Sequence, residues 1–228
     1  METVDWQPGL RERKKRAMRA RLTSTATRMF LERGFDAVRV AEIADACEVS
    51  EKTVFNYFPT KEALLLDRFD DTLTSLRAAL STPDATVLDA ALTVLTAELA
   101  ALDGWLRSQD DVAHAVEQTR RFRELSVSTP GLRAYRHDMT ERLIATVAAF
   151  LAARRGAGAD SPEPTIAAIA VVGLWRVQAD SLTRQFATGS PASGLRTAVA
   201  ADVDRAAALL APMLEAARPA PDSGPAAE

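Results

Sequence analysis

Apolar residues recur along this chain at three- and four-residue intervals almost throughout, and no stretch alternates one in two, so the pattern predicts helices and no strands. Met18, Leu22, Ala26 and Phe30 lie four apart and predict a first helix over about 10–33, stopped at Gly34. Val40, Ile43, Ala44 and Cys47 fall at i, i+3, i+4 and i+7, one face of a short helix over 40–47. Ser50 then stands as N-cap to a second short helix over 51–57, with an aromatic cluster at its end and Pro59 beyond it. Leu66, Phe69, Leu73, Leu76 and Leu80 form one stripe of a helix over 61–80. Ser or Thr precedes proline at Thr82-Pro83, Thr129-Pro130, Ser161-Pro162 and Ser190-Pro191, each a cap before a residue whose missing N–H costs nothing at the first helical position. These signals predict helices over 83–102, about 105–126, 130–155, 162–187 and 191–216, the last kinked or frayed near Pro212. Arg155 to Ala159 reads as a flexible connector, and the proline-rich stretch from Arg218 onward as a disordered tail.

Two short helices joined by a turn of about three or four residues make a helix-turn-helix, whose second helix has the shape to enter a DNA major groove. The net charge of −3 argues against a nucleic-acid partner, but its distribution argues for one. Residues 10–61 hold 12 Lys/Arg against 7 Asp/Glu and include all four lysines of the chain. Arg11, Arg13, Lys14, Lys15, Arg16, Arg19 and Arg21 precede or open the first helix, opposed only by Glu12; ahead of a helix-turn-helix, such a run is placed to contact phosphates. In the second short helix, Val54 and Phe58 read as core-facing, while Glu51, Lys52, Thr53, Phe55, Asn56 and Tyr57 occupy the exposed turns. Lys52 can bond guanine acceptors or a phosphate, Thr53 a phosphate or a thymine methyl, and the Asn56 amide has the donor–acceptor pair that suits adenine. Ser50 is better suited to capping than to reading a base.

The segment from about Arg16 to Leu66 resembles the DNA-binding domain of the tetracycline-repressor (TetR) family, through Met29-Phe30, Gly34-Phe35, Ile43-Ala44, Val49-Ser50, Thr53, Tyr57-Phe58, Lys61-Glu62 and Leu64-Leu65. The resemblance implies an all-α fold: a basic arm and three-helix DNA-binding domain over 1–60, a helical ligand-binding and dimerisation domain over 61–217, and the tail over 218–228. It implies that Tyr57 and Lys61 contact the DNA backbone, and it completes a candidate DNA-binding set of Arg16, Arg39, Ser50, Glu51, Lys52, Thr53, Phe55, Asn56, Tyr57 and Lys61. Three positions depart from the family pattern. Phe55 replaces a usual tyrosine and its phenolic bond. Glu48 stands in place of a turn glycine. Val38-Arg39 replaces a Thr-Thr pair, removing a capping hydroxyl and adding a cation.

The resemblance further implies a homodimer on a palindromic operator, paired through the last two long helices, with Leu195, Val199, Val203, Leu209, Leu210 and Met213 on the stripe of the final one. It implies a pocket among the helices between 61 and 187 for a small organic ligand of unknown identity. Trp105, Phe122, Tyr135, Trp175 and Arg176 are the candidate lining, and Trp175-Arg176 could hold an anionic head beside apolar walls. The expected function is a ligand-responsive transcriptional repressor; the alternative is a helical small-molecule binding protein that no longer reads DNA. Composition supplies no rival chemistry. Two histidines and one cysteine make no His/Cys metal site, no phosphate-cradling glycine loop or nucleophile elbow is present, and no cofactor is implied. Cys47, alone and on an apolar face, reads as a core residue. The N-terminus lacks a signal-type apolar core, and the run from Ile166 to Trp175 is about half of what a bilayer-spanning helix needs, so a soluble, cytoplasmic protein is expected.

Overall fold

The computed structural model describes residues 9–66, 68–155, 161–187 and 194–216. Among these residues there is no strand, and ten helices make up the fold: α1 (Leu10–Arg33), α2 (Val40–Ala46), α3 (Glu51–Tyr57), α4 (Ala63–Leu66), α5 (Arg68–Leu80), α6 (Val87–Arg107), α7 (Val112–Ser128), α8 (Pro130–Arg155), α9 (Pro162–Ala187) and α10 (Leu195–Ala216). Where the sequence carries a strong end signal, the boundary falls on it. Gly34 at φ 87 terminates α1, its N–H bonded to the Phe30 carbonyl, and α8 and α9 begin at Pro130 and Pro162.

Several boundaries differ from expectation, with helix beginning at Ala63 rather than 61 and α6 running on to Arg107 rather than 102, and two of the differences have a visible physical reason. α6 starts at Val87 rather than at Pro83, because Thr86 and Asp89 form a reciprocal capping box: Asp89 N–H donates to Thr86 Oγ1 at 3.1 Å and Thr86 N–H to Asp89 Oδ2 at 3.3 Å. Two donors satisfied in this way outweigh a single proline, and the chain before them turns through Asp84 at φ 60. α7 starts at Val112, after Asp111 accepts the His114 N–H at 2.9 Å. The expected connector over 156–159, the Ser190-Pro191 cap and the tail from 218 lie outside the described residues.

The chain forms two compact units, and the division is not linear. The first holds the described residues up to Arg68 together with Arg121–Tyr135; the second holds Phe69–Arg120 and the residues from Arg136 onward. In the first, Leu22, Phe30, Val38, Ile43, Val54, Phe58 and Leu64 are all but inaccessible to solvent, and the Phe30 and Phe35 rings pack at 4.9 Å. Burying each such side chain contributes about 1.5–3 kcal/mol relative to leaving it exposed. The inserted piece belongs to this core: Leu132 is fully buried, Ser126 and Thr129 nearly so, and Arg121 Nη2 donates to the Leu31 carbonyl at 2.8 Å.

In the second unit α5, α6, α8 and α9 enclose one apolar cluster around Leu76, Ala91, Val147 and Val171. Further clusters seat α10 on α6 and α9 through Val199, Val203 and Ala207. Taken over its 26 residues, α9 is long and apolar enough to cross a membrane, although its central apolar run alone is not. Its buried Ala167, Val171, Leu174 and Leu182 belong to these clusters, the usage of a core helix.

Candidate nucleic-acid interface

α3 is only seven residues long, too short to persist on helix propensity alone, so its ends must be held from outside. Ser50 Oγ accepts the Thr53 N–H at 3.1 Å and lies 2.9 Å from the Thr53 hydroxyl, the cap that the sequence suggests. Val54 and Phe58 anchor the inner face with no accessible surface. On the outer face Glu51, Lys52, Phe55 and Asn56 are exposed, with Thr53 and Tyr57 half-buried at its flanks. An apolar ring as open as that of Phe55 suits a thymine methyl or a deoxyribose.

The departures at 38–39 and 48 have visible consequences. Val38 is wholly buried, and Arg39 begins α2 without a hydroxyl cap; instead its N–H donates to Glu42 Oε2 at 2.8 Å, while Arg33 Nη2 donates to Glu42 Oε1 at 2.7 Å. That backbone bond first, and the Arg33 guanidinium second, hold the Glu42 carboxyl below the ordinary carboxylate range. The Arg39 guanidinium lies 3.7 Å from the same carboxylate on a side chain that is 81% exposed. Glu48 takes the left-handed conformation of a turn glycine, φ 53, and its carboxylate meets Arg21 at 3.4 Å. The turn closes all the same, with Val49 N–H on the Ala44 carbonyl at 3.0 Å.

Cations that the sequence groups together separate in space. Arg11, Arg13, Lys14, Lys15 and Arg16 are exposed along the first turns of α1. Arg19 instead turns inward: its guanidinium lies 4.6 Å from the Phe58 ring centroid and donates through Nη1 to the Tyr57 carbonyl at 3.1 Å. Lys61 does likewise. Nζ donates to the Phe35 carbonyl at 2.6 Å and stands 4.4 Å from the Phe35 ring, and burial lowers the pKa of the ammonium. The family resemblance puts Lys61 on the DNA backbone; its half-buried ammonium here gives one N–H to the Phe35 carbonyl. The sequence does contain a signal for Arg19, which stands three residues before Leu22 and seven before Ala26, on the inward face of α1.

The five candidate ligand-binding residues divide between the two units. Phe122 and Tyr135 belong to the first unit and Trp105, Trp175 and Arg176 to the second. Trp105 is 43% exposed. Trp175 packs inward and donates Nε1 to Glu98 Oε2 at 3.1 Å, while the other Glu98 oxygen accepts the Thr72 hydroxyl. Arg176 faces outward and grips Asp180 one turn on, at 2.8 Å. With the indole N–H taken by Glu98 and the guanidinium by Asp180, the pair does not form a joint anion site. A cavity of about 410 Å³ lies elsewhere in the second unit, between the start of α6 and the ends of α8 and α10; Val87, Leu88, Phe150, Leu151, Ala211 and Leu214 line it, with Asp84, Arg154 and Glu215 polar. Sequence periodicity could not have found it, because its walls come from three helix ends. Among the described residues, no cluster of His, Cys, Asp and Glu is arranged to hold a metal ion.

The α10 stripe divides in the same way. Leu195, Val199 and Val203 are buried within their own protomer, whereas Leu209 and Met213, with Ile166 and Ile169 of α9, are exposed apolar surface.

Residues 22–67 match the model of bacterial regulatory proteins of the tetR family, and residues 110–215 match that of the MftR C-terminal domain. The HTH-type transcriptional regulator TcmR of Streptomyces glaucescens is 31% identical over 185 residues, which cover 76% of this chain and 80% of TcmR. MftR of Mycobacterium tuberculosis, described as a mycofactocin biosynthesis transcriptional regulator, is 27% identical over 155 residues, 67% of this chain and 73% of that one. The HTH-type regulator YdeS of Bacillus subtilis is 40% identical over 53 residues, covering 23% of this chain and 27% of its own.

Proposed function

The chain belongs to the tetR family of bacterial transcriptional regulators, and from that premise we propose that it is a cytoplasmic repressor, released from a two-fold operator by a small, largely hydrophobic molecule. The observation that carries the DNA-reading half is the outer face of α3, where Lys52, Phe55 and Asn56 are exposed on a helix capped at both ends and anchored by Val54 and Phe58. Asn56 and Lys52 supply base contacts, with Glu51 and Thr53 beside them. Arg16, Arg39 and Tyr57 hold the backbone, and Ser50 acts through its cap. Lys61 leaves the contact set because its ammonium is engaged at Phe35.

One copy of such a helix reads too few base pairs for a genomic address, so the protein acts as a homodimer. The exposed Ile166, Ile169, Leu209 and Met213 of α9 and α10 support pairing through those two helices. The apolar walls of the half-open hollow between α6, α8 and α10 support a seat for a compact organic effector there. By binding one conformer of the second unit more tightly, it shifts the population away from the DNA-competent state.

The test is a mobility-shift titration on the DNA flanking the protein's own coding region. Retardation should fall steeply with salt, by roughly 0.9 in log–log slope per phosphate engaged. Asn56→Ala should relax preference at discrete operator positions, at a cost of about 1–3 kcal/mol each. Absence of any retardation at low salt would leave a helical ligand-binding protein without DNA-reading function.

A further inference from the structure

We propose that Arg19 is a positioning residue for DNA recognition, acting as the C-terminal clamp of the recognition helix α3 rather than as a phosphate contact. Every helix leaves its last carbonyls without an internal partner, and α3 has too few turns to tolerate a loose end. Pro59 prevents the chain from continuing the helix, and no glycine follows to make a left-handed cap. The tertiary structure supplies the missing donor. Arg19, from the middle of α1, reaches 38 residues along the sequence to bond the Tyr57 carbonyl at 3.1 Å. Its guanidinium lies 4.6 Å from the ring of Phe58, which is wholly buried. A cation at a helix C-terminus is favoured by the helix dipole, and the planar fork can stack and donate at once. Ser50 holds the other end through the Thr53 N–H, so the axial position of Lys52 and Asn56 is fixed from both sides.

Lys61 repeats the arrangement one step outward. It bonds the Phe35 carbonyl and stands over the Phe35 and Phe30 rings, tying the segment after α3 to the end of α1. Two of the cations that make residues 10–61 basic are therefore used internally, and the charge presented to DNA comes from the exposed run Arg11 to Arg16 with Arg39 and Lys52.

The proposal rests on the DNA-reading function above, and two measurements separate its failure from the failure of that function. Arg19→Gln removes charge and fork; Arg19→Lys keeps the charge and the apolar stem but cannot stack and donate in the same geometry. Amide hydrogen exchange of the full-length protein, with no DNA present, should speed roughly tenfold or more at Phe58 and Val54 in both variants while α9 is unchanged. On the flanking DNA segment, both variants should lose roughly tenfold in preference over a scrambled duplex, with the salt slope of the wild type retained. Unchanged exchange at Phe58 in both variants would overturn the clamp. So would Arg19→Lys matching wild type on DNA, or a slope for Arg19→Gln shallower by about 0.9, the mark of one fewer phosphate engaged. If Arg19→Gln fails to fold, the Arg19→Lys exchange and discrimination measurements decide the matter alone.

Discussion

Glu48→Gly should tighten the helix-turn-helix, and the size of the effect follows from the backbone. Glu48 sits at φ 53, where an L side chain crowds its own carbonyl at a cost of about 1–2 kcal/mol. Glycine removes that cost but brings a more flexible unfolded chain, which returns roughly 0.5–1 kcal/mol. The substitution also abolishes the ion pair with Arg21 at 3.4 Å, between side chains 48% and 84% exposed. Such surface pairs contribute about 0–1 kcal/mol, with the long, open ones at the low end. Glu48→Gly therefore comes out between neutral and about 1.5 kcal/mol stabilising. Glu48→Ala removes the same pair but keeps the strain, so the glycine variant should exceed the alanine variant by about 1 kcal/mol. The assay is amide exchange at Cys47, Val49 and Val54, whose N–H groups bond Ile43, Ala44 and Ser50 carbonyls across and beside the turn. Protection at these sites should rise in the order Ala, Glu, Gly. Equal protection in the alanine and glycine variants would show that the turn carries no strain at Glu48.

Two further outcomes can be checked separately. Aspartate at Ile166 together with Leu209 should yield a folded monomer in sedimentation, because both are exposed in one protomer and would be buried as unpaired charges in the proposed dimer; a persisting dimer would put the interface elsewhere. Glu42→Gln should lower the melting temperature at neutral pH. Since the Glu42 carboxyl titrates below its ordinary range when folded, its stabilisation is complete above the unfolded-state pKa and lost as pH falls through the folded one. The gap between variant and wild type should close in that acidic window, and a gap independent of pH would mean the Arg39 and Arg33 bonds contribute nothing through charge.

Local chemistry is readable from the sequence, and the tertiary use of local chemistry is not. Gly34, Ser50, Pro130 and Pro162 each fix a helix end by a feature of one or two residues, and the boundaries they predict are the observed ones. α6 escapes because two capping signals compete within five residues and the reciprocal one, Thr86 with Asp89, makes more bonds. Val54 and Phe58 are assignable to the core by spacing alone. Arg19 and Lys61 are not assignable by charge alone, because whether a cation meets a phosphate or a carbonyl depends on a partner 38 or 26 residues away. The stripe on α10 shows the same limit: Leu195 lies against its own protomer while Met213, five turns further along the same face, lies open. Trp175 and Arg176, adjacent in sequence, differ in burial and partner, one bonded to Glu98 and the other to Asp180.

The insertion of Arg121–Tyr135 into the first compact unit bears on how such a protein can be cut and recombined. A fragment ending at Arg68 would carry the whole helix-turn-helix but leave the Leu31 carbonyl without Arg121 and the ground filled by Leu132 bare. Grafting the reader of one regulator onto the sensor of another by a single crossover would thus pair each reader with a foreign bracket. A faithful hybrid needs three crossovers, after residues 68, 120 and 135, exchanging the N-terminal stretch and the end of α7 with the start of α8 as one inseparable cassette.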